Sequence, residues 1–262
     1  MCAIFGLGFL HGHTMRNGSL IQNLIRALFI QNMVRGRTAS GLAYVSYDGI
    51  KVIKKNVPAQ TFINLPEYDK AETDCMTFDT SKSRPLSVIG HCRLKTKGTE
   101  TNNINNHPII CNDVVGVHNG CISNDDELFG MYSRSFKRNG EVDSEIIFSL
   151  ISYFAKECKI HEAIQKMSVI THGSFACAMV HRLQPHVIWL FRRYNPCDVV
   201  LFEDVGLLSW ASEKSYIKTS VSGFLEEGKI IKLEQNSGIG IDLYRNKIHR
   251  FTLEEPKHYT MY

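Results

Sequence analysis

Residues 1–12 read MCAIFGLGFLHG. The apolar run behind Cys2 is short and ends in glycine-containing sequence, the pattern of a buried strand. The residue leading into it is a cysteine one position behind the initiator methionine. Removal of Met1 would leave Cys2 carrying a thiol and an α-amine on one residue. Unperturbed, these two groups titrate within about one pH unit of each other. The amine can therefore take the thiol's proton without a histidine relay, and the thiolate is the form that attacks. A strand directly behind Cys2 would hold this nucleophile on a rigid element, and the small cysteine side chain suits aminopeptidase removal of Met1.

Working outward, GSLIQNLIRALFIQNMVRG at 18–36 places Leu20, Ile21, Leu24, Ile25, Leu28 and Phe29 on one face of a helix, with Gly36 as its stop. GLAYVSYDGIKVIKK then changes to strand periodicity and turns at Asp48-Gly49, a two-residue hairpin signal. Residues 56–85, with Pro58, Pro66 and Pro85, suggest an irregular excursion, after which PLSVIGHCR restarts a buried strand. A polar loop, KTKGTETNNINNHP at 95–108, leads to the strand DVVGVHNG. Asp143 and Ser144 can cap a helix whose apolar side is Ile146, Ile147, Leu150, Ile151 and Phe154. A further helix is expected over 160–168. Strands follow around 173–181, 186–192, 198–203, 207–211, 228–234, 239–244 and 247–252. Helices beside enough strands for two sheets fit paired sheets covered by helices on their outer faces.

The chain has 262 residues, 44% hydrophobic and 21% charged, the composition of a folded globular protein. Its net charge is only +4 and its basic residues are scattered, apart from small groups such as RSFKRNG at 134–140. Such groups suggest a solvated surface, so nucleic acid is not an expected partner. No apolar stretch approaches a membrane span, and residues 1–10 lack the basic n-region of a secretory signal. A cytoplasmic location is expected. The eight cysteines include no CxxC and no Cys/His cluster at metal-site spacing, so neither a disulfide scaffold nor a metal or other cofactor is expected.

Three further stretches bear on the chemistry: GHCRLKTKG at 90–98, HNGCISN at 118–124 and EVDSEII at 141–147. Singly, Arg93 could bound a strand at the surface, Asn119-Gly120 could be a turn, and Asp143 could be only an N-cap. Together with MCAIFG and RGRTASG at 35–41, the chain resembles the glutaminase domain of class II glutamine amidotransferases, members of the N-terminal-nucleophile hydrolases. The resemblance runs through nearly the whole chain in the family's order. It implies an α+β fold, a four-layer αββα sandwich with two mainly antiparallel sheets, and one such domain over 1–262 with no second synthase domain. It also implies that Cys2 attacks the side-chain amide of free L-glutamine to give a γ-glutamyl thioester and ammonia. Asn119 and Gly120 then match the oxyanion donors. Arg93 matches the group that holds the substrate α-carboxylate, assisted by Thr96 and the backbone at Lys97, and Asp143 matches the one that receives the α-ammonium. A planar guanidinium suits a carboxylate, and a glycine leaves room for a backbone donor. Arg35 and His118 are candidates for supporting the pocket. His91, His107 and His118 fall in or near these segments, but this chemistry needs no imidazole base.

The chain departs from the family at Ala3, often glycine in relatives, at Leu94, often aromatic, and at Lys97, a histidine in the sugar-transferring branch. The expected partner is a separate synthase that receives ammonia. Two alternatives remain open: a stand-alone hydrolase of another small amide or γ-glutamyl compound, and an inactive binding or regulatory subunit. The sequence does not fix the oligomeric state.

Overall fold

The computed structural model describes residues 1–12, 18–76 and 85–256. Two antiparallel sheets lie face to face. The first orders its strands β11-β9-β10-β1-β4-β2-β3, and the second β13-β12-β8-β7-β6-β5. β1 (Ala3–Phe9) runs between β4 (Ser87–Arg93) and β10 (Leu207–Ala211). In the second sheet β6 (Val114–Ile122) lies between β5 (Ile109–Cys111) and β7 (Gly173–His181). Side chains alternate across each strand, so both sheets need cover on two faces, and three apolar clusters provide it.

Between the sheets, Ile4, Ile89, Val115, Val117, Leu190 and Trp210 form the central layer. The outer face of the first sheet packs Phe5 and Leu7 against Leu24, Leu28 and Phe29 of α1 (Gly18–Asn32). Phe5 and Phe29 meet edge to face with centroids 4.8 Å apart. Burying a side chain such as Phe29 stabilises by roughly 1.5–3 kcal/mol. The outer face of the second sheet packs Phe175 and Met179 against α5 (Ser144–Phe154) and α6 (Ile160–Ile170). The four-layer αββα arrangement expected from the resemblance is thus the observed one.

The expected hairpin forms between β2 (Ala39–Val45) and β3 (Ile50–Lys55). The late strand expectations correspond to β7, β8 (Gln184–Arg193), β9 (Asp198–Phe202), β10, β11 (Lys229–Ile231), β12 (Ser237–Asp242) and β13 (Lys247–Thr252). Other readings need correction. The stretch read as irregular holds α2 (Ala59–Phe62) and α3 (Pro66–Cys75), although residues 77–84 of it lie outside the described residues. Pro66 occupies the first turn of α3, where proline lacks no needed N–H, and Phe62 meets Phe29 at a tilt and Tyr68 meets it edge-on. Two short helices, α4 (Asp125–Met131) and α7 (Lys214–Val221), were not anticipated. Gly36 does not terminate α1, which ends at Asn32. Its missing side chain instead admits the backbone of β4: a Cβ there would lie 2.5 Å from the Arg93 carbonyl carbon.

Candidate active site

The register of β1 on β4 pairs Ala3 with Cys92, which sets Cys2 beside Arg93 at the end of the first sheet. The Cys2 thiol meets the backbone of Leu94 on both sides, donating to its carbonyl and accepting from its N–H at 3.3 Å each. Arg35 holds Cys2 from below, its Nε donating to the Cys2 carbonyl at 3.1 Å while Nη1 pairs with Glu213 at 2.6 Å. Burial pushes the Cys2 thiol up, and the Leu94 contact, the chain's terminal ammonium and Arg93 act against that shift. The sulfur is therefore a thiol at neutral pH and needs a base to react. In the structure Met1 precedes it, two-thirds exposed, so the α-amine lies on Met1 and the Cys2 nitrogen is an amide.

Arg93 is buried, and its guanidinium is already engaged. Nη2 donates to the carbonyls of Lys97 (2.7 Å) and Gly98 (2.8 Å), and Nη1 donates to Asn106 Oδ1 (2.7 Å). Asn106 is steadied by Lys54, whose ammonium donates to the Asn106 and Pro108 carbonyls. Burial lowers Lys54 to about 8. Thr96 is exposed beside this cradle. Lys97 contributes its carbonyl to Arg93, while its ammonium turns away to Asp125 and Asp126.

Across the gap, β6 brings up Asn119 and Gly120. Asn119 is fully buried, and among the described residues neither its side-chain nitrogen nor its side-chain oxygen has a partner. A buried amide with both ends unmatched is costly unless something else is to meet it. Its backbone carbonyl is held by Asn195 Nδ2 at 2.7 Å. Gly120 has φ of +154°, and a Cβ there would sit 2.0 Å from the Ser174 carbonyl oxygen, so only glycine fits.

Asp143 is buried, and its Oδ2 accepts from the Ile122 N–H of β6 at 2.7 Å. Asp143 stands at the N-cap position of α5 as expected, but the expected side-chain cap is not made. Its backbone is helical (φ −63°, ψ −27°) and its side chain makes no cap hydrogen bond, whereas a capping residue is normally extended and bonds its own helix. The carboxylate is thereby fixed on β6 close enough to act on the Cys2 thiol. Arg93 also feels the charges of Cys2 and Asp143.

The histidines join the sheets. His91 Nε2 lies 3.1 Å from the His118 carbonyl oxygen; a carbonyl only accepts, so Nε2 carries the proton. By the same argument His118 Nε2 donates to the Ser174 carbonyl (3.4 Å), and its Nδ1 accepts from Ser144 Oγ (2.8 Å). Burial lowers all three histidines, His91 to about 3. All three are neutral; His91 bridges the two sheets through the His118 carbonyl, and His107 stacks on His91 with ring centroids 4.1 Å apart.

Cys2, Arg93 and Asp143 lie within electrostatic reach of one another, Asn119 and Gly120 stand on the strand that Asp143 bonds, Arg35 bonds Cys2 and His118 bonds Ser144. Three contributors were missed in the sequence. Asn195 and Lys54 lie in no recognisable motif. Arg138, read as part of a solvated basic group, inserts between Asp125 and Asp126 and lies over the Phe129 ring. Among the described residues no group of three or more His, Cys, Asp or Glu side chains is arranged to hold a metal ion. Nor is any helix among them long and apolar enough to cross a membrane.

Residues 91–218 match the family described as "Glutamine amidotransferase domain". A glutamine–fructose-6-phosphate aminotransferase of Staphylococcus aureus is 30% identical over 219 residues, covering 82% of this chain and 34% of that protein. Its counterpart in Chlamydia pneumoniae is 28% identical over 257 residues, covering 95% and 38%. The chain therefore spans about a third of the length of the relatives it matches. Among solved structures, the glutamine phosphoribosylpyrophosphate amidotransferase of B. subtilis superposes with a TM-score of 0.69 at 15% identity, covering 97% of this chain and 49% of that one. A structure described as the allosteric regulatory enzyme of purine biosynthesis gives 0.71, also at 15% identity and with the same coverage; at this identity the likeness speaks to fold alone. The chain belongs to the glutamine amidotransferase domain family.

Proposed function

We propose that this chain hydrolyses the side-chain amide of free L-glutamine to glutamate and ammonia, and supplies the ammonia to an acceptor-binding enzyme or domain. The observation that carries the proposal is the Cys2 thiol set beside Arg93 and within electrostatic reach of Asp143, with the buried Asn119 amide, unpartnered among the described residues, on the strand that Asp143 bonds.

Once Met1 is removed, the Cys2 α-amine takes the thiol proton and the sulfur attacks the amide carbon of glutamine. The oxygen becomes an anion, and Asn119 Nδ2 and the Gly120 N–H are its donors; such donors stabilise a transition state by about 3 kcal/mol each. The protonated amine returns its proton to the departing nitrogen, which leaves as ammonia, and the acyl group remains on sulfur as a thioester. Water then attacks the thioester, giving its proton to the same amine, and glutamate leaves as the thiol is restored. Arg93 and Asp143 take the α-carboxylate and the α-ammonium, which selects a free amino acid over an amide within a peptide. Arg93 has three of its five N–H groups engaged by protein, so the carboxylate has Nε–H and one Nη1–H to use.

The test is ammonia release by the processed chain from glutamine, asparagine, γ-glutamyl compounds and a glutamine residue inside a peptide. Selective release from free glutamine supports the proposal. Equal release from the peptide removes the roles of Arg93 and Asp143.

A further inference from the structure

The orientation of Arg93 is set by a loop, and that loop is pinned by charge. Both hydrogens of Arg93 Nη2 go to the carbonyls of Lys97 and Gly98, and Nη1 goes to Asn106. Wherever residues 97–106 sit, the guanidinium follows. The loop is tied at one end by the Lys97 ammonium, 2.6 Å from Asp125 Oδ2 and 3.0 Å from both oxygens of Asp126. Arg138 grips the same two carboxylates from the other side, with Nη2 at 3.0 Å from Asp125 and Nη1 at 2.5 Å from Asp126. It is itself fixed to the carbonyls of Gly140 and Glu141, both at 2.8 Å. The Glu141 carboxylate returns to the loop, accepting from the Thr99 N–H and from Asn105 Nδ2.

The contacts close into a ring. One side of the ring carries Arg93, and the Glu141 side runs two residues on into Asp143. Asp125 is the buried member, its side chain 3% exposed against 39% for Lys97 and 73% for Asp126. An exposed pair of this kind contributes little, whereas a buried carboxylate gripped by two cations imposes geometry.

We infer that Asp125 is a positioning residue. Through Lys97 and Arg138 it fixes the distance between Arg93 and Asp143, the spacing at which an α-carboxylate and an α-ammonium are read together. This rests on the glutaminase reading above. It concerns capture of the head group and leaves the attack by Cys2 untouched.

The experiment is steady-state ammonia release by the processed chain carrying Asp125→Asn, Lys97→Met, or both, with folding checked by thermal unfolding. The single Asp125→Asn variant raises KM for glutamine about tenfold with kcat within about twofold, because uniform binding is lost rather than transition-state stabilisation. Lys97→Met raises KM as well, and the double variant shows clearly less than the product of the two single effects, since both break one linkage. In an Arg93→Ala background Asp125→Asn adds nothing to KM. An unchanged KM in Asp125→Asn overturns the inference, as does a fall confined to kcat or a full additional effect in the Arg93→Ala background. Absence of glutamine hydrolysis by the wild-type chain overturns the glutaminase reading and the inference with it. A wild-type chain with normal turnover beside an indifferent Asp125→Asn variant overturns only the inference.

Discussion

Replacing Asn119 by alanine separates catalysis from stability. The side chain is fully buried and among the described residues makes no hydrogen bond through either polar atom, while its backbone, paired with β7 and held at its carbonyl by Asn195, keeps its contacts after the change. Truncation loses no internal hydrogen bond and removes two unmatched polar groups, each costing about 1–3 kcal/mol where it is buried. The small cavity left behind works in the opposite direction. The cavity term is the smaller of the two, so the unfolding free energy stays level or rises and does not fall. On the proposed function catalysis behaves differently, because the Nδ2 donor would meet only the charge that develops on the glutamine oxygen. Losing such a donor lowers kcat by roughly 10²–10³, about 3–4 kcal/mol, with KM little changed. The assay pairs ammonia release with a urea midpoint on the same preparation. Turnover within about threefold of wild type would refute the assignment. So would a loss of stability above about 3 kcal/mol, which would make Asn119 a structural residue.

Gly120→Ala should act in the opposite way. Its φ of +154° and a Cβ only 2.0 Å from the Ser174 carbonyl oxygen predict destabilisation of about 2 kcal/mol or more, read as a lowered urea midpoint; an unchanged midpoint would mean that β6 and β7 can part freely. Acid should weaken the fold through the histidine bridge. His91 is held down to about 3 from an ordinary 6.5, so between those values the unfolded chain binds a proton that the folded chain does not. Stability from this residue is therefore intact above about 6.5 and falls with pH by up to about 1.4 kcal/mol per unit down to about 3. His107, also lowered and with both ring nitrogens unpartnered among the described residues, adds to the slope. His107→Phe should flatten the pH dependence of the urea midpoint between pH 7 and 5; an unaltered slope would place the acid sensitivity elsewhere.

The elements legible in the sequence were those whose pattern is local. α1 carries a full apolar stripe, β1 and β4 are short apolar runs, and Asp48-Gly49 marks its own turn. α3 and α7 were not visible because they bury few side chains. In α3 these are Tyr68, Ala71 and Glu72, spread through a mostly polar segment, and its order comes from the Phe29–Phe62–Tyr68 cluster. The candidate site divides along the same line. Cys2, Arg93, Asn119, Gly120 and Asp143 stand in segments whose resemblance to a family marks them. Asn195 reaches Asn119 across 76 positions and Arg138 reaches Asp125 from a basic stretch that looks solvated. Such contacts are made by the topology, and no local pattern announces them. The expected Asp143 cap failed for a different reason, since an aspartate before a helix looks the same in sequence whether its carboxylate turns to the helix or to a neighbouring strand.

The central claim is that Cys2 becomes the first residue and is the nucleophile. Intact-mass measurement of the purified chain, before and after exposure to a diazoketone analogue of glutamine, tests both parts at once. The account predicts a chain lacking Met1 that gains one label, mapped to Cys2, with loss of ammonia release in proportion. A chain that retains Met1 and takes no label, or takes it on another cysteine such as the exposed Cys121, would contradict it.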